Sequence, residues 1–353
     1  MNTSSKKIFK ATVIGFFILG YGWAYLLTPH TFFVGSKSIE IIKGDGSRVI
    51  AEKLKEEGFI QSKWAFVFYL AVAGKADDLK PGSFVFFSKS AIPQIVSELS
   101  YGGREEQVIT ILEGWGIDDI TDYFEKENVS AGSDFYTIAK GKNSDSWQKL
   151  VSLFPFLSEV PKTSGLEGYL FPDTYRIYKN ASAEEIIIKM LENFEKKVSP
   201  ELQLEIARQK KNLFEIIIMA SLIEKEVISE EDRALVSGIL WKRLELGIGL
   251  NVDATIQYIK SLEAVRDRQP TLRPGSGQAK ISIEDTKIES PYNTYKYRGL
   301  PPGPISNPGL SAIQSAIYPK KSDYLYYLSK PDGATVFSQT LEEHNIAKAK
   351  YLK

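Results

Sequence analysis

The sequence predicts an α+β protein: a single N-terminal transmembrane helix, a small module after it, and a larger mixed α+β domain. Three observations predict this. A charge-free apolar run, Ala11 to Leu27, follows a short basic start. A strand–glycine–helix pattern at residues 39–54 recurs from Val108, with Gly44 opposite Gly114 and Ile50 opposite Ile120. Beyond it, helix-length apolar periods alternate with short β-rich runs, and the chain ends in strand, turn and strand. At 353 residues there is material for two or three domains.

Lys6, Lys7 and Lys10 precede the apolar run, so the positive-inside rule makes residues 1–10 cytoplasmic, 11–28 the span, and the remainder extracytoplasmic. The expected location is therefore the cell membrane, with a single pass and the larger domain outside the cytoplasm. Trp23 and Tyr25 fit an interfacial aromatic belt. The residues that follow, TPHTFFVGSK, contain no A-x-A site, which favours an uncleaved anchor over a signal peptide. Residues 37–103 then read strand (Ile39 to Ile42), glycine turn, and a helix with Val49, Ile50 and Leu54 inward. A second helix (WAFVFYLAVAG), a strand over Phe84 to Phe87, and a last helix closed by Gly102-Gly103 complete the module. This order resembles a LysM-like module, a small fold that grips glycans containing N-acetylglucosamine. A spacer of the same shape that binds nothing fits the pattern equally.

Residues 104–353 make up the larger domain. Helices are predicted at 118–127, 133–140 and 180–198. Between them lies SGLEGYLFPDTYRI, Ser164 to Ile177, a tight loop crowded with Tyr169, Phe171 and Tyr175. Two readings stand: a loop that buries its aromatics in the core, or a sugar platform with Glu167 and Asp173 as hydrogen-bonding groups. Next comes NLFEIIIMASLIEKEV, Asn212 to Val227. No Gly or Pro interrupts it, and a helix apolar on nearly every face is a buried one. It ends abruptly in Glu224-Lys225-Glu226. On a helical period Glu224 stacks over Ser221, Ala220 and Ile217, whereas Glu226 lies about 200° further round and is expected to face water or a surface partner. A carboxyl held against apolar walls keeps its proton longer, as a general acid requires.

Ser229 to Leu246 is predicted as an amphipathic helix with Ser229 at its N-cap. In GIGLNVDATIQY the polar residues Asn251, Asp253, Thr255 and Gln257 alternate. They share one side if the segment is extended; if it is helical from Asp253, that residue is an N-cap. Residues 263–280 read as a surface excursion. From Ser290 to about Leu310 the density of Pro, Gly, Asn and Tyr excludes regular structure, and Asn307 can cap a helix over 308–317. Rigid, aromatic, amide-rich loops suit a neutral oligosaccharide. A hairpin (YLYYLS, a Pro-Asp-Gly turn, ATVFS) and a helix through His344 close the chain.

Composition removes several function classes. Basic and acidic residues balance at 44 each, which gives no footprint for nucleic acid. Without Cys there is no disulfide, thiolate metal site or Cys nucleophile, and with only His30 and His344 there is no three-histidine metal site. No cofactor or metal is expected. A serine protease would have to use His344, and no G-x-S-x-G motif accompanies it.

Taken together, SLIEKE at 221–226, LNVDATIQY at 250–258, SPYNTY with GLPPGPISNPG at 290–309, and the terminal YLYYLS…HN resemble the MltG/YceG-like endolytic murein transglycosylases. The resemblance spans about residues 38–353. It implies cleavage of the β-1,4 bond between N-acetylmuramic acid and N-acetylglucosamine in nascent peptidoglycan, leaving 1,6-anhydro ends and terminating strand elongation. It places the catalytic glutamate at Glu224 and implies partnership with the polymerising synthases. Asp253-Ala254-Thr255 stands where many members have Asp-Pro-Thr, and Lys43 in the first repeat stands opposite Glu113 in the second. Candidate sugar-binding residues are Asn251, Asp253, Gln257, Tyr292, Asn293 and Tyr295, with Glu167 and Tyr169 from the aromatic loop. Two alternatives remain: a muramidase-type hydrolase with Asp253 or Glu226 as second carboxylate, and a non-catalytic peptidoglycan-binding scaffold.

Overall fold

The computed structural model describes residues 36–87, 90–101, 106–129, 131–179, 181–227, 229–266, 281–330 and 333–352. The expected cytoplasmic start and membrane span lie outside them. Among the described residues no helix is long and apolar enough to cross a membrane. The chain divides into two compact units, at Glu106 and Gln107.

In the first unit, β1 (Ser36–Ile41) and β2 (Gly82–Phe87) pair antiparallel, with Ser36 opposite Phe87 and Ile41 opposite Gly82. Helices α1 (Ser47–Glu56), α2 (Lys63–Ala73) and α3 (Ile92–Tyr101) complete it. The period-two alternation of the strands turns Ile39, Ile41, Phe84 and Phe86 inward onto Ile50, Leu54, Phe66, Leu70, Ile95 and Leu99. Helix α2 ends in a left-handed Gly74, a common helix terminator.

The second unit opens with the repeat. Strand β3 (Glu106–Thr110) leads through Gly114 into α4 (Ile117–Lys126) as β1 leads through Gly44 into α1. Gly44 and Gly114 both have positive φ, and Gly46 and Gly116 are both extended N-caps. Ile50 and Ile120 are both buried. Helices α5 (Gly132–Ala139) and α6 (Ser144–Leu153) follow, then β4 (Thr174–Tyr178), which pairs with β3. Next come α7 (Ala183–Lys197), α8 (Pro200–Arg208), α9 (Leu213–Glu226), α10 (Glu230–Glu245) and α11 (Asp253–Arg266). The chain ends with α12 (Leu310–Ile317), the antiparallel hairpin β5 (Tyr326–Ser329) and β6 (Thr335–Ser338), and α13 (Leu341–Tyr351). The fold class is α+β. The helices α6 and α8 are absent from the sequence reading; Asn143 caps the first with its side chain and Pro200 opens the second.

Helix α9 is the centre of this unit. Asn212 caps it reciprocally with Glu215, at 2.8 and 3.1 Å. Every residue from Ile216 to Ile223 is buried. It packs against α8, α10, α11 and α12. Asn307 does not cap α12, which starts at Leu310 with Gly309 as its N-cap. Its side chain instead spans segments far apart in sequence. Its Oδ1 accepts from the backbone N–H of Gly168 and of Leu170 at 2.9 and 3.0 Å, and its Nδ2 donates to the Trp115 carbonyl at 2.9 Å. The backbones of Gly114 and Asn307, and of Asn307 and Trp115, are bonded as well, at 2.9 and 2.8 Å. Three loops are thereby pinned on the flank of α9.

The approach is closest at Gly168, whose φ is +89°. A Cβ there would fall 2.5 Å from Ile217 Cγ2 and 2.7 Å from Pro304 Cγ. Gly168→Ala adds both a left-handed strain and a clash, at least about 2 kcal/mol together. We expect calorimetry to show the melting midpoint falling by roughly 5 °C or more.

Candidate active site

Glu224 sits in the last turn of α9, where the apolar run meets the surface. Its side chain retains only 5% of its exposure. One carboxylate oxygen accepts from Arg233 Nη2 at 2.8 Å, the other from the backbone N–H of Gly309 at 2.9 Å. Arg233 comes from the second turn of α10 and is itself buried; its Nε donates to the Val227 carbonyl at 3.3 Å. Gly309 is the N-cap of α12, so the positive end of that helix faces the carboxylate. Burial raises the Glu224 pKa and outweighs the Gly309 hydrogen bond and the Arg233 charge, which pull it down. Glu113 raises it further and Lys225 opposes. The group is thus bonded as an anion and desolvated as an acid, the balance needed for a proton that must leave and return.

The wall beside it is the turn of the second repeat. Lys225 Nζ donates to the Gly114 carbonyl at 3.2 Å, and a Cβ on Gly114 would lie 3.5 Å from Glu224 Cγ. Ser221, one turn earlier on α9, accepts the Ile305 N–H at 3.1 Å. The loop 303–309 is therefore held along the strip Ser221–Glu224 that the helical period picks out.

Glu226 corrects the expectation that it faces water. It does leave the Glu224 face, as the period requires, but the hairpin covers that side. Tyr327 of β5 donates to one oxygen at 3.1 Å and the Ala254 N–H of α11 to the other at 3.3 Å. Burial, with Asp253 nearby, pushes its pKa to about 7. The run 251–257 is not extended: α11 begins at Asp253, so the alternating residues do not share a face.

The expected sugar binders fall into separate places. Asn251, Asp253 and Tyr295 are exposed together at the start of α11, where the Tyr295 hydroxyl donates to Asp253 Oδ1. Asn251 has φ +52° and its N–H bonds the Thr294 carbonyl at 3.2 Å. Tyr292 is half-buried with its ring 5.0 Å from that of Tyr258, and Gln257 is half-buried on α11. Asn293 has no exposure; its Nδ2 donates to the carbonyls of Thr286 and Ile288 at 3.0 and 2.8 Å, which makes it a loop brace.

The sugar platform at 164–177 is also corrected. Tyr169 has no exposure and packs on Phe156 and Phe194. Glu167 is buried, and its Oε1 accepts the Ile117 N–H at 3.0 Å, capping α4 where Gly116 has no side chain to do so. Burial pushes the Glu167 pKa to about 7 against the pull of Lys140 at 3.4 Å. No residue bonded to the Glu224 carboxylate is among the expected sugar binders. Arg233, Gly309, Glu113 and Asn307 are what the sequence reading missed. The available signal was the change from Lys43 to Glu113 beside the glycine that the two repeats share. His344 stacks on Tyr326 with ring centres 5.3 Å apart.

A family model described as the YceG-like family matches residues 39–350. The chain belongs to the YceG-like family. This YceG-like chain is 32% identical over 324 residues to the endolytic murein transglycosylase of Bacillus subtilis, covering 89% of this chain and 84% of that one. It is 32% identical over 329 residues to the endolytic murein transglycosylase of Streptococcus pneumoniae, covering 87% of this chain and 57% of the relative. A crystal structure of a yceG-like protein from Listeria monocytogenes superposes with a TM-score of 0.58 at 30% identity, covering 88% of this chain and 98% of that one.

Because the Glu226 pKa is raised to about 7, the folded state binds a proton that the unfolded state releases near the ordinary carboxyl value of 4.5. Its contribution to stability is full below that value and is lost as pH rises through about 7. Glu226→Gln removes this dependence. We expect its melting midpoint to vary less between pH 5 and 8 than that of the wild type, approximate limits set by this titration, with glycan cleavage retained.

Proposed function

We propose that this protein is an endolytic lytic transglycosylase of peptidoglycan, with Glu224 as both its acid and its base. The observation that carries the reading is the buried Glu224 carboxylate at the mouth of the pinned loops, in a chain whose relatives bear that activity in their names. As the acid, Glu224 protonates the β-1,4 oxygen as it leaves C1 of N-acetylmuramic acid. As the carboxylate, steadied by Arg233 and the Gly309 N–H, it takes the proton of the C6 hydroxyl, which closes the 1,6-anhydro ring. The attacking hydroxyl belongs to the substrate, so its effective concentration is high and no water needs to be activated. Hydrolytic glycosidases need a second carboxylate for that water; here the internal nucleophile replaces it.

Asn251, Asp253 and Tyr295 form an exposed polar edge that suits sugar hydroxyls and N-acetyl groups, with Tyr292 and Gln257 on neighbouring turns. The β–α–α–β order of the first unit fits a LysM-like module. Residues 11–28 anchor the chain in the cell membrane with everything after them outside. With so short a spacer between anchor and site, roughly two to three nanometres for a module of this size, the cut falls on nascent strands close to the synthases that make them. The protein thereby limits strand length.

Two tests follow. On long glycan strands the purified protein should yield fragments of intermediate length before any terminal disaccharide accumulates, as resolved by chromatography. Folded Glu224→Gln should lose about 10²–10⁴ in cleavage rate, since the amide neither gives nor takes the proton. Near-wild-type cleavage by that variant would remove Glu224 from the mechanism.

A further inference from the structure

A second carboxylate beside the site is Glu113, in the turn between β3 and α4. Glu113 is exposed, whereas Glu224 is enclosed. The two are separated by one residue without a side chain. Gly309 gives its N–H to Glu224 Oε2 at 2.9 Å, and a Cβ built on Gly309 would lie 1.9 Å from Glu113 Oε1. The Glu113 carboxylate thus occupies the volume that any other residue at 309 would claim.

The fold supplies its own control for this acid. The first repeat makes the same strand–turn–helix with Gly44 and Gly46, and carries Lys43 where the second carries Glu113. The first repeat closes its turn with Asp45 instead, so the turn does not need an acid at the position of Glu113. What differs is what the turn faces: in the second unit it abuts the end of α9, with Gly114 against Glu224 Cγ and Lys225.

We propose that Glu113 is a positioning residue of the reaction, a fixed negative charge set beside Glu224 across Gly309 that keeps Glu224 protonated until the glycosidic oxygen takes the proton. This rests on Glu224 being the acid of the reading above. The charges facing Glu224 are Arg233 from α10, Lys225 from α9 and the Gly309 N–H at the start of α12, all favouring its anion, and Glu113 from the β3–α4 turn. Glu113 is the one named neighbour whose charge opposes ionisation, alongside burial. Arg233 and Gly309 hold the base form; Glu113 protects the acid form. Without it, the three favourable donors act against burial alone, and the proton is lost at lower pH.

The sign is fixed by charge. Removing a nearby anion lowers the Glu224 pKa, so the alkaline limb of kcat/KM, which reports loss of the general acid, moves to lower pH. For Glu113→Gln the expected displacement is about one pH unit, with the acidic side near wild type. Glu113→Lys, which installs the first repeat's residue, should move the limb further in the same direction, and Glu113→Asp should largely restore it. Gly309→Ala, which forces the Glu113 carboxylate aside without altering any charge, should move the limb the same way. Carbon-13 titration of the Glu224 carboxyl, assigned by its disappearance in Glu224→Gln, gives a second readout independent of turnover. A lower Glu224 midpoint in Glu113→Gln supports the pairing. An unchanged midpoint overturns it, as does a reduced rate with an unshifted profile and midpoint. A lowered midpoint with an unmoved kinetic limb would uphold the pairing and tell against Glu224 as the acid.

Discussion

The carboxylate of Glu224 is held from both sides, by the Arg233 guanidinium on one oxygen and the Gly309 N–H on the other, inside a nearly dry setting. Much of the second unit follows from that arrangement. A buried carboxylate without partners is expensive, and one that stays an anion cannot act as an acid. The central helix supplies the dry side, because its last eight residues before the acid are all buried. The N-terminus of α12 supplies a donor with no side chain of its own, which leaves room for a second acid. Helix α10 turns back to bring Arg233, and that arginine is tied to the carbonyl of Val227 just past the end of α9.

None of this would be aligned without the cross-brace at Asn307. Its side chain bonds backbone groups of two other loops, and its own backbone pairs a second time with one of them, the Gly114–Trp115 turn. Pro301, Pro302, Pro304 and Pro308 restrict this loop before it folds, so bracing it costs less entropy and fixes Gly309 where α9 ends. The same economy explains Glu167. It looks like a binding group in an aromatic loop, and it spends its oxygens on the first turn of α4 and on Lys140.

What the sequence discloses about this chain depends on the range of the interaction. The central helix was legible because an unbroken apolar run ending in acids has one local explanation, and the position of Glu224 on its Ser221 strip followed from helical geometry alone. The two strand–turn–helix units were legible because the pattern repeats. The outward reading of Glu226 failed because a hairpin a hundred residues later covers that face, which no helical period can reveal. Tyr169 and Asn293 failed for a related reason: an aromatic or an amide in a glycine- and proline-rich loop reads alike whether it braces the loop or greets a ligand, and here both are fully buried. Asn307 acts through partners far off in the chain, and Arg233 meets Glu224 only because α10 folds back on α9, so only Glu113 left a trace, as a charge that the first repeat does not carry at that position.

Placing a second acid, Glu113, beside Glu224 sharpens the chemical question. A muramidase-type hydrolase would use a second carboxylate to activate water or to form a covalent intermediate. A transglycosylase draws its nucleophile from the sugar and leaves water out. Cleavage of glycan strands in oxygen-18 water, followed by mass spectrometry of the new ends, separates the two directly. With Glu224 acting on the sugar's own C6 hydroxyl, the new ends are 1,6-anhydro and carry none of the heavy isotope. New reducing ends that have gained oxygen-18 would contradict it.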